Sequence, residues 1–305
     1  MKIISLSIIL LLTLISCNLK NSEDRLNFKK LLSIIPSAEN TSSILPDLEK
    51  YSKPALHLTM IDQVTFSKIG GKPDLPENFS WPAYNSKPMS FIIQLKFSEI
   101  NKNGIIPELP QKGLLYVFYD QEQSTWGFNP DDKNSWYVLY LKNESDLVKE
   151  HDFPDRLDMS GIFKEKHLTS AIIKTYPPAD NPQIEKLNFD DNQCELYYDF
   201  LYNAYNGKAM HILAGYPYPI QNDDMDLEAQ LSSNGIDCGD STAYKSSKAE
   251  ELEPGRHDWM LLLQIDSDVE TGMMWGDMGM LYFWIRKDDL KKLKFDNVWM
   301  ILQCG

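Results

Sequence analysis

The sequence contains little that marks a known chemistry. None of its four cysteines forms a C-x-x-C pair, and none of its five histidines forms an H-E-x-x-H pair, so the common redox and zinc motifs are absent. Gly70 and Gly71 are followed by Lys72 and Pro73, and this order cannot open a helix as a phosphate-binding loop does. The sequence therefore predicts no complete catalytic set, no metal site and no cofactor.

Positive charge is also scarce. The 305 residues contain 30 Lys and Arg against 44 Asp and Glu, which gives a formal net charge of −14. A nucleic-acid binder needs clustered cations to neutralise phosphates, so this balance argues against that class of partner. An acidic surface does suit a basic protein partner. Apolar residues make up 43% of the chain, which is enough for a folded core.

The N-terminal apolar run is too short to cross a membrane. Residues 3–15 follow Lys2, and at about 1.5 Å per residue they fall short of a hydrocarbon core of roughly 30 Å. A charged start and a short apolar centre are typical of an export signal. Its end, LISC at residues 14–17, resembles the bacterial lipobox, in which the cysteine is lipidated and becomes the new first residue.

This leader sets the predicted domain organisation. We predict a lipoprotein signal peptide at residues 1–16, a diacylglyceryl anchor on Cys17, a tether with an N-terminal helix at residues 17–54, and a folded body at residues 55–305. The anchor would make the membrane a partner and place the protein in the bacterial envelope. Asn18, where an Asp favours retention at the inner membrane, points to the outer membrane. An ordinary signal peptide that contains a cysteine is the alternative.

The small number of cysteines limits how many disulfides the protein can form. If Cys17 is acylated, at most one disulfide can form among those that remain. The remaining cysteines are scattered, as small buried apolar residues usually are: Cys194, Cys238 and Cys304.

Residues 259–305 are the most strongly patterned part of the chain. They contain three short apolar runs, an acidic glycine-bearing loop, and a short helix with acids first and lysines later, as the helix dipole favours. This order of elements predicts an α+β fold with mainly antiparallel sheets and helices packed against them. The strands are predicted at residues 260–265, 280–285 and 298–302, the loop at 266–277 and the helix at 288–293.

Earlier apolar runs predict further strands at residues 55–61, 89–97, 113–120 and 135–141. A helix is predicted at residues 195–206, with Gly207 as its stop. Residues 143–193 are polar and interrupted by prolines, so we interpret them as a helical or irregular connection.

The two halves of the body carry similar elements in the same order. Each has a Gly-x-Pro turn, then an apolar strand that contains a glutamine, then a glycine-led aromatic strand. We interpret residues 55–145 and 195–305 as related halves; chance similarity among short apolar strands is the alternative. The second half is longer because of residues 222–258, a polar segment predicted to be a surface excursion.

The turns and the C-terminal strands together form one ordered set of motifs: Ser67, Gly70, Gly71, Pro73, Leu75, Pro76, Trp81, Pro82, Gly215, Pro217, Gln221, Leu263, Gln264, Asp266, Trp275, Gly276, Asp277, Gly279, Tyr282 and Phe283. This set resembles the YwqG-like family, a bacterial family of unknown function, over about residues 55–305. The resemblance implies an α+β body and brings no established activity or catalytic residue. Ala214 departs from the family pattern, which usually has a Gly-Gly pair at this turn.

A cleft between the two halves is the candidate binding surface. The two glycine-proline turns would line it, together with the loop after Gln264, where Asp266 and Asp277 flank Trp275. Capping of the loop is the alternative role for both acids. The candidate binding residues are Gly70, Gly71, Pro73, Gly215, Pro217, Gln264, Asp266, Trp275 and Asp277.

These features favour a non-enzymatic binding or protein-interaction module, of which an immunity-like protein that neutralises a toxin is one form. The alternative is an envelope hydrolase in which Asp266 and Asp277 act as paired carboxylates. Such chemistry needs one carboxyl with a raised pKa and one with an ordinary pKa, both within reach of the substrate.

Overall fold

A computed structural model describes residues 48–146, 148–205 and 209–305. The predicted signal peptide, the lipidated Cys17, most of the tether with its N-terminal helix, and the helix stop at Gly207 lie outside these residues. Within the described ranges, no helix has both the length and the apolar composition needed to cross a bilayer.

Most strands of the described chain belong to one antiparallel sheet of ten strands. In spatial order they are β14 (Trp299–Gln303), β13 (Met280–Arg286), β12 (Trp259–Asp266), β11 (Ile212–Leu213), β1 (Lys53–Ile61), β10 (Lys166–Thr175), β2 (Lys68–Ile69), β6 (Ser90–Lys96), β7 (Leu114–Tyr119) and β8 (Trp136–Leu141). Two small ribbons pair β3 (Asp74–Pro76) with β9 (Val148–Glu150), and β4 (Ala83–Tyr84) with β5 (Lys87–Pro88).

In residues 48–146, 148–205 and 209–305, helices are few and mostly short. They are α1 (Phe97–Ile100), α2 (Pro182–Glu185), α3 (Asp191–Tyr205), α4 (Met225–Ser232), α5 (Ser247–Leu252) and α6 (Lys287–Lys291). Single 3-10 turns occur at Glu49–Tyr51, Lys102–Gly104, Pro130–Asp132, Met159–Gly161, Ala243–Lys245, Glu253–Asp258 and Phe295–Asn297. Residues 190–204, which include most of α3, belong to a different compact unit from residues 48–189 and 205–305.

The prediction of a mixed α and β fold with antiparallel strands is therefore confirmed. The strands do not form separate sheets, however, because β11 joins β12 to β1 and so makes one continuous sheet. The predicted strands of the C-terminal stretch and of residues 55–141 are all present, and the helix expected after β13 is α6.

The ten-stranded sheet curls until it is nearly a closed barrel. Its end strands β8 and β14 meet through two indoles: Trp136 donates its Nε1–H to the carbonyl of Val298 at 3.0 Å, and its ring lies 5.0 Å from that of Trp299. The loop between β7 and β8 covers the outer edge of β14, because the amide of Leu302 donates to the carbonyl of Trp126 at 3.0 Å. The outer edge of β14 is therefore partly covered.

Both faces of the central strands are covered. In β7, Leu115 and Val117 point into the main core, whereas Tyr116 and Phe118 join a second apolar cluster with Leu75. Alternate residues of a strand face opposite sides of the sheet. An uninterrupted apolar run such as LLYVFY therefore indicates a strand that is buried on both faces.

The prediction for residues 143–193 is wrong at its centre. This segment contains β10, a ten-residue strand that pairs with β1 along its whole length. Only Leu168 and Thr175 of β10 are buried, so the strand shows neither an apolar run nor a regular alternation. Its backbone partner β1, rather than its own side chains, accounts for its conformation.

Residues 222–258 are not a surface excursion, which corrects a second prediction. They form α4, α5 and two 3-10 segments, and Met225 and Ala229 of α4 are fully buried in the main core. Helix α4 packs against β12 and β14. Because the segment is mostly polar, its sequence did not indicate these two apolar contacts.

The two glycine-containing turns share an unusual backbone. Gly70 and Gly71 have φ angles of 64° and 69°, and Ala214 and Gly215 have φ angles of 61° and 78°. Positive φ is cheap for glycine but strained for alanine. Ala214 therefore holds the same conformation as Gly70 at a cost in strain.

A glutamine holds the residue that follows each of these turns. Gln94 accepts a hydrogen bond from the amide of Asp74 at 2.8 Å, and Gln264 accepts one from the amide of Tyr218 at 2.9 Å. The strands that carry these glutamines are irregular at matching places, since the register shifts between Phe91 and Ile93 in one and between Leu261 and Leu263 in the other.

The strain at Ala214 gives a test. Ala214→Gly is expected to change the free energy of unfolding by less than about 0.5 kcal/mol, because relief of the positive φ offsets the loss of a buried methyl group. Ala229→Gly, at a fully buried helical position, is expected to cost about 2 kcal/mol, since methyl burial and helix propensity are both lost. Urea denaturation of both variants checks this; equal losses would show that position 214 is not strained.

Candidate functional site

A cavity of about 780 Å³ opens beside the second turn. It lies among the start of β1, helix α2, the turn after β11, the α4–α5 region and the adjoining ends of β12, β13 and α6. Both charged and aromatic side chains reach it. Its lining is Lys53, Asn181, Pro182, Gln183, Lys186, Gly215, Tyr216, Pro217, Asp223, Asp226, Glu250, Glu253, Pro254, Arg256, His257, Trp259, Met260, Leu261, Trp284 and Lys287.

Two tryptophans on neighbouring strands contribute to the cavity wall. Trp259 of β12 is satisfied, because its indole N–H donates to Gln230 at 2.9 Å. Trp284 of β13 is 5% exposed, and its buried indole N–H has no hydrogen-bond partner among the described residues. Buried donors are normally paired, so this N–H is an exception, and it lies beneath the surface that the Trp284 ring presents to the cavity.

Lys53 brings a cation to the cavity. Its ammonium lies 4.0 Å from the centroid of the Tyr216 ring, an attractive cation–π arrangement. No ion pair joins it to a carboxylate within the part of the chain that the structure describes. Desolvation and the nearby charge of Lys287 both lower the pKa of Lys53.

Asp223 brings a carboxyl group in an unusual state. It accepts a hydrogen bond from the Asn181 amide at 3.0 Å. Burial, with help from the charges of Asp180 and Asp226, nevertheless raises the pKa of Asp223 to about 8. The group is therefore largely protonated at neutral pH, and a cation placed beside it would favour release of the proton.

Arg256 is already neutralised by its neighbours. Its guanidinium donates to Asp224 at 2.9 Å and to Asp226 at 2.6 Å. This arrangement braces the 3-10 turn at Glu253–Asp258 against α4 and so helps to shape one side of the cavity.

The turn at Gly215 orients the ring beneath Lys53. A Cβ atom at Gly215 would lie 2.5 Å from the hydroxyl of Thr175 and 2.7 Å from Ala55, so only glycine fits. The same hydroxyl accepts a hydrogen bond from the amide of Tyr216 at 2.8 Å. The close approach fixes Tyr216 at the cavity.

The structure brings only part of the predicted site together. Gly215 and Pro217 line the cavity. Gly70, Gly71 and Pro73 lie at the other turn, where a Cβ at Gly70 would approach the Lys164 carbonyl at 2.5 Å. Gln264 is fully buried and bonds the backbone of Tyr218 and Met210.

The acidic loop after β12 also differs from the expected binding surface. Trp275 is 1% exposed and donates its indole N–H to the Asp266 carbonyl at 3.1 Å, so its ring fills the core and is not an exposed anchor. Asp266 accepts a hydrogen bond from the amide of Met210 at 2.8 Å, and burial raises its pKa. Asp277 is exposed. None of the three lines the cavity.

His211 forms a buried pair with Asp268 that the sequence did not indicate. Its Nδ1 accepts a hydrogen bond from the amide of Asp266 at 3.1 Å. The ring proton therefore sits on Nε2, which faces the carboxylate of Asp268 at 3.5 Å. Interaction with His211 lowers the pKa of Asp268. The pair links β11 to the loop after β12.

The described cysteines of the sheet body are buried thiols. Cys238 and Cys304 are each 7% exposed and form no disulfide. Burial raises the pKa of Cys238. Across the described ranges, no group of three or more His, Cys, Asp or Glu side chains is placed to hold a metal ion.

Glu228, next to the cavity on α4, gives a pH-dependent prediction. It is 3% exposed and one carboxyl oxygen has no partner among the described residues; burial raises its pKa from 4.5 to about 7. The pKa of Glu228 is higher in the folded state than in the unfolded state. Its contribution to the free energy of unfolding is therefore complete below about pH 4.5 and is lost as the pH rises through 7.

The free energy of unfolding of Glu228→Gln, relative to that of the unsubstituted protein, is therefore expected to increase by roughly 3 kcal/mol between pH 4 and pH 8. Urea denaturation at each pH measures the difference. Glu251→Gln, on the exposed side of α5, removes one charge from the same region without altering a buried group and serves as the matched control. A difference for Glu228→Gln that stays constant with pH would contradict the expected protonation.

Comparison with known sequences identifies the family of this chain. No curated protein matches the chain significantly. A family model described as a domain of unknown function, DUF1963, matches residues 67–304, which includes both turns, most of the cavity lining and all of the C-terminal strands. The protein therefore belongs to the DUF1963 family, also called YwqG-like.

Proposed function

We propose that this protein is a non-enzymatic binding module whose ligand is a polar small molecule held in the cavity beside Gly215. The observation that carries the proposal is a cavity of about 780 Å³ whose wall combines the rings of Trp259 and Trp284 with the charged groups of Lys53 and Asp223. Ligand pockets are commonly of this size and combine aromatic walls with a few polar groups.

The charged groups at the cavity support binding. Lys53 carries an ammonium that no described carboxylate pairs with, and Asp223 carries a carboxyl whose pKa is raised to about 8. Strongly perturbed titratable groups beside a cavity are typical of functional sites. Both would regain favourable electrostatic partners when a polar ligand replaces solvent.

The binding module would act at the envelope. The lipobox-like sequence that ends at Cys17 supports a lipid anchor, and Asn18 favours the outer membrane. Fractionation of cells that express the full chain tests this part. Cys17→Ala should move the protein from the membrane fraction to the soluble fraction and abolish labelling by an alkyne-tagged fatty acid.

The body is proposed to consist of two related halves. The matched register shifts in β6 and β12, the positive φ angles at both turns, and the equivalent contacts of Gln94 and Gln264 support this relationship. The cavity lies at the second turn, so the long insertion at residues 222–258 supplies the walls that distinguish this half.

A ligand screen tests the binding function. The full chain is mixed with a panel of anions, cations, sugars and zwitterions, and its melting temperature is recorded. A ligand at about 100 times its Kd stabilises by about 2.7 kcal/mol, which is a shift of several degrees for a protein of this size.

A blocking variant assigns any shift to the cavity. Gln183 is exposed on α2 and lines the cavity, so Gln183→Trp should fill the space and abolish the shift. Gln111→Trp places the same ring on an exposed surface elsewhere and should retain it. No shift with any compound, or a shift that survives Gln183→Trp, would overturn the proposal.

A further inference from the structure

The cavity carries charges of both signs on different elements. Lys53 comes from β1 and Lys287 from α6, whereas Asp223 precedes α4 and Glu250 and Glu253 come from the α5 region. Such a cavity does not match a ligand of a single charge, because one set of groups would remain without a partner.

The donors still available are found beside the cationic side. One N–H of Lys287 is committed, since its ammonium donates to the carbonyl of His257 at 2.7 Å. In the part of the chain that the structure describes, the ammonium of Lys53 contacts the face of Tyr216, 4.0 Å from the ring centroid, and forms no ion pair. Its N–H groups are donors of the kind that a carboxylate accepts.

Asp223 is a half-buried acceptor on the other side, whereas Glu250 and Glu253 are exposed. Asp226 is already committed to Arg256 at 2.6 Å. Within the described ranges the carboxyl of Asp223 accepts from the amide of Asn181, and the charges of Asp180 and Asp226 act on it. An incoming ammonium group would supply several N–H donors and a compensating positive charge.

We propose that the ligand is a zwitterion, a free amino acid or a short peptide, with its carboxylate at Lys53 and its ammonium at Asp223. This assignment rests on the proposed binding function and specifies its ligand class. A cavity of about 780 Å³ has room for a peptide of two or three residues. The aromatic surfaces of Tyr216 and Trp259 would contact the side chains.

The test uses the full chain and defined peptides. Glycyl-leucine, alanyl-alanine and the free amino acids are titrated by calorimetry, next to the same peptides with an acetylated N-terminus or an amidated C-terminus. Each modification is expected to weaken binding at least 30-fold. Equal affinity for the free and modified peptides would overturn the proposal.

Matched variants assign each end of the ligand. Lys53→Met should erase the preference for the free carboxylate, while Lys50→Met, a neighbouring exposed lysine above another tyrosine ring, should keep it. Asp223→Asn should erase the preference for the free ammonium, while Asp155→Asn, an exposed acid outside the cavity, should keep it.

Proton release provides an independent readout. Because Asp223 is largely protonated at pH 7 when the cavity is empty, binding of an ammonium should release close to one proton, and the observed heat should depend on the ionisation enthalpy of the buffer. Asp223→Asn should abolish this dependence. The charged and titratable groups that face Asp223 are Lys53, Asp180, Tyr216, Asp226 and Arg256.

The outcomes separate this assignment from the binding function itself. A sugar or a dicarboxylate that binds and is blocked by Gln183→Trp would leave the binding function intact and overturn the zwitterion class. Zwitterion binding that survives Gln183→Trp would overturn the site. Absence of any ligand in the whole panel would overturn both.

Discussion

Replacement of Gln264 by leucine is expected to lower the free energy of unfolding by about 4 kcal/mol. The side chain is fully buried, accepts from the amide of Tyr218 at 2.9 Å and donates to the carbonyl of Met210 at 2.9 Å. Leucine fills a similar volume but leaves both backbone groups without a partner. An unsatisfied buried polar group costs about 1–3 kcal/mol, so two of them account for the expected loss.

Urea denaturation of the full chain measures the effect. Gln111→Leu, at an exposed position, should change stability by less than about 0.5 kcal/mol. Gln94→Leu should cost as much as Gln264→Leu, because Gln94 bonds the amide of Asp74 and the carbonyl of Phe66 in the same way. A loss below about 1 kcal/mol at Gln264 would show that the turn is held by other contacts.

Gly127→Ala is expected to destabilise the closed sheet by about 4 kcal/mol or more, enough to place it among the exceptional point mutations. Gly127 has a φ of +84°, and a Cβ atom there would lie 1.8 Å from the carbonyl oxygen of Met300. The oxygen belongs to the backbone and the position of a Cβ atom is fixed by the backbone, so neither can rotate away. The change would push the β7–β8 loop off the edge of β14 and break its hydrogen bonds there.

Gly272→Ala separates this clash from backbone strain. Gly272 has a φ of +77°, yet a Cβ atom there would have nothing within 4 Å. Its cost should be about 1–2 kcal/mol, the penalty of the left-handed conformation alone. Thermal and urea denaturation of the two variants should differ by at least about 2 kcal/mol. Equal effects would mean that the loop moves away from β14 without loss.

Strands buried on both faces could be predicted from sequence because they are continuous apolar runs. β7 and β13 are examples: each is buried along nearly its whole length. β10 could not be predicted in this way, since only Leu168 and Thr175 of its ten residues are buried. Its conformation depends on pairing with β1, more than a hundred residues earlier. Closure by Trp136 and Trp299 is likewise a long-range contact.

The candidate site was predictable only where the backbone itself is unusual. Gly215 and Pro217 stand out in the sequence because a tight turn requires them, and they do line the cavity. Lys53, Asp223 and Trp284 come from three separate segments, and nothing in their local sequence distinguishes them. The prominence of Trp275 reflects its place in the core. Aromatic residues are as typical of cores as of interfaces.

The contact between the β7–β8 loop and β14 also determines the earliest point during synthesis at which the chain can finish folding. The carbonyl of Gly127 accepts from the indole of Trp299, which lies 172 positions later. At about 5–20 residues per second, the loop must wait roughly 10–30 s for this partner to leave the ribosome. During that interval Trp136 of β8 lacks the ring of Trp299 that packs against it, and an end strand without its packing partner is the kind of surface on which nascent chains aggregate. A chain that terminates before residue 299 would remain in that state.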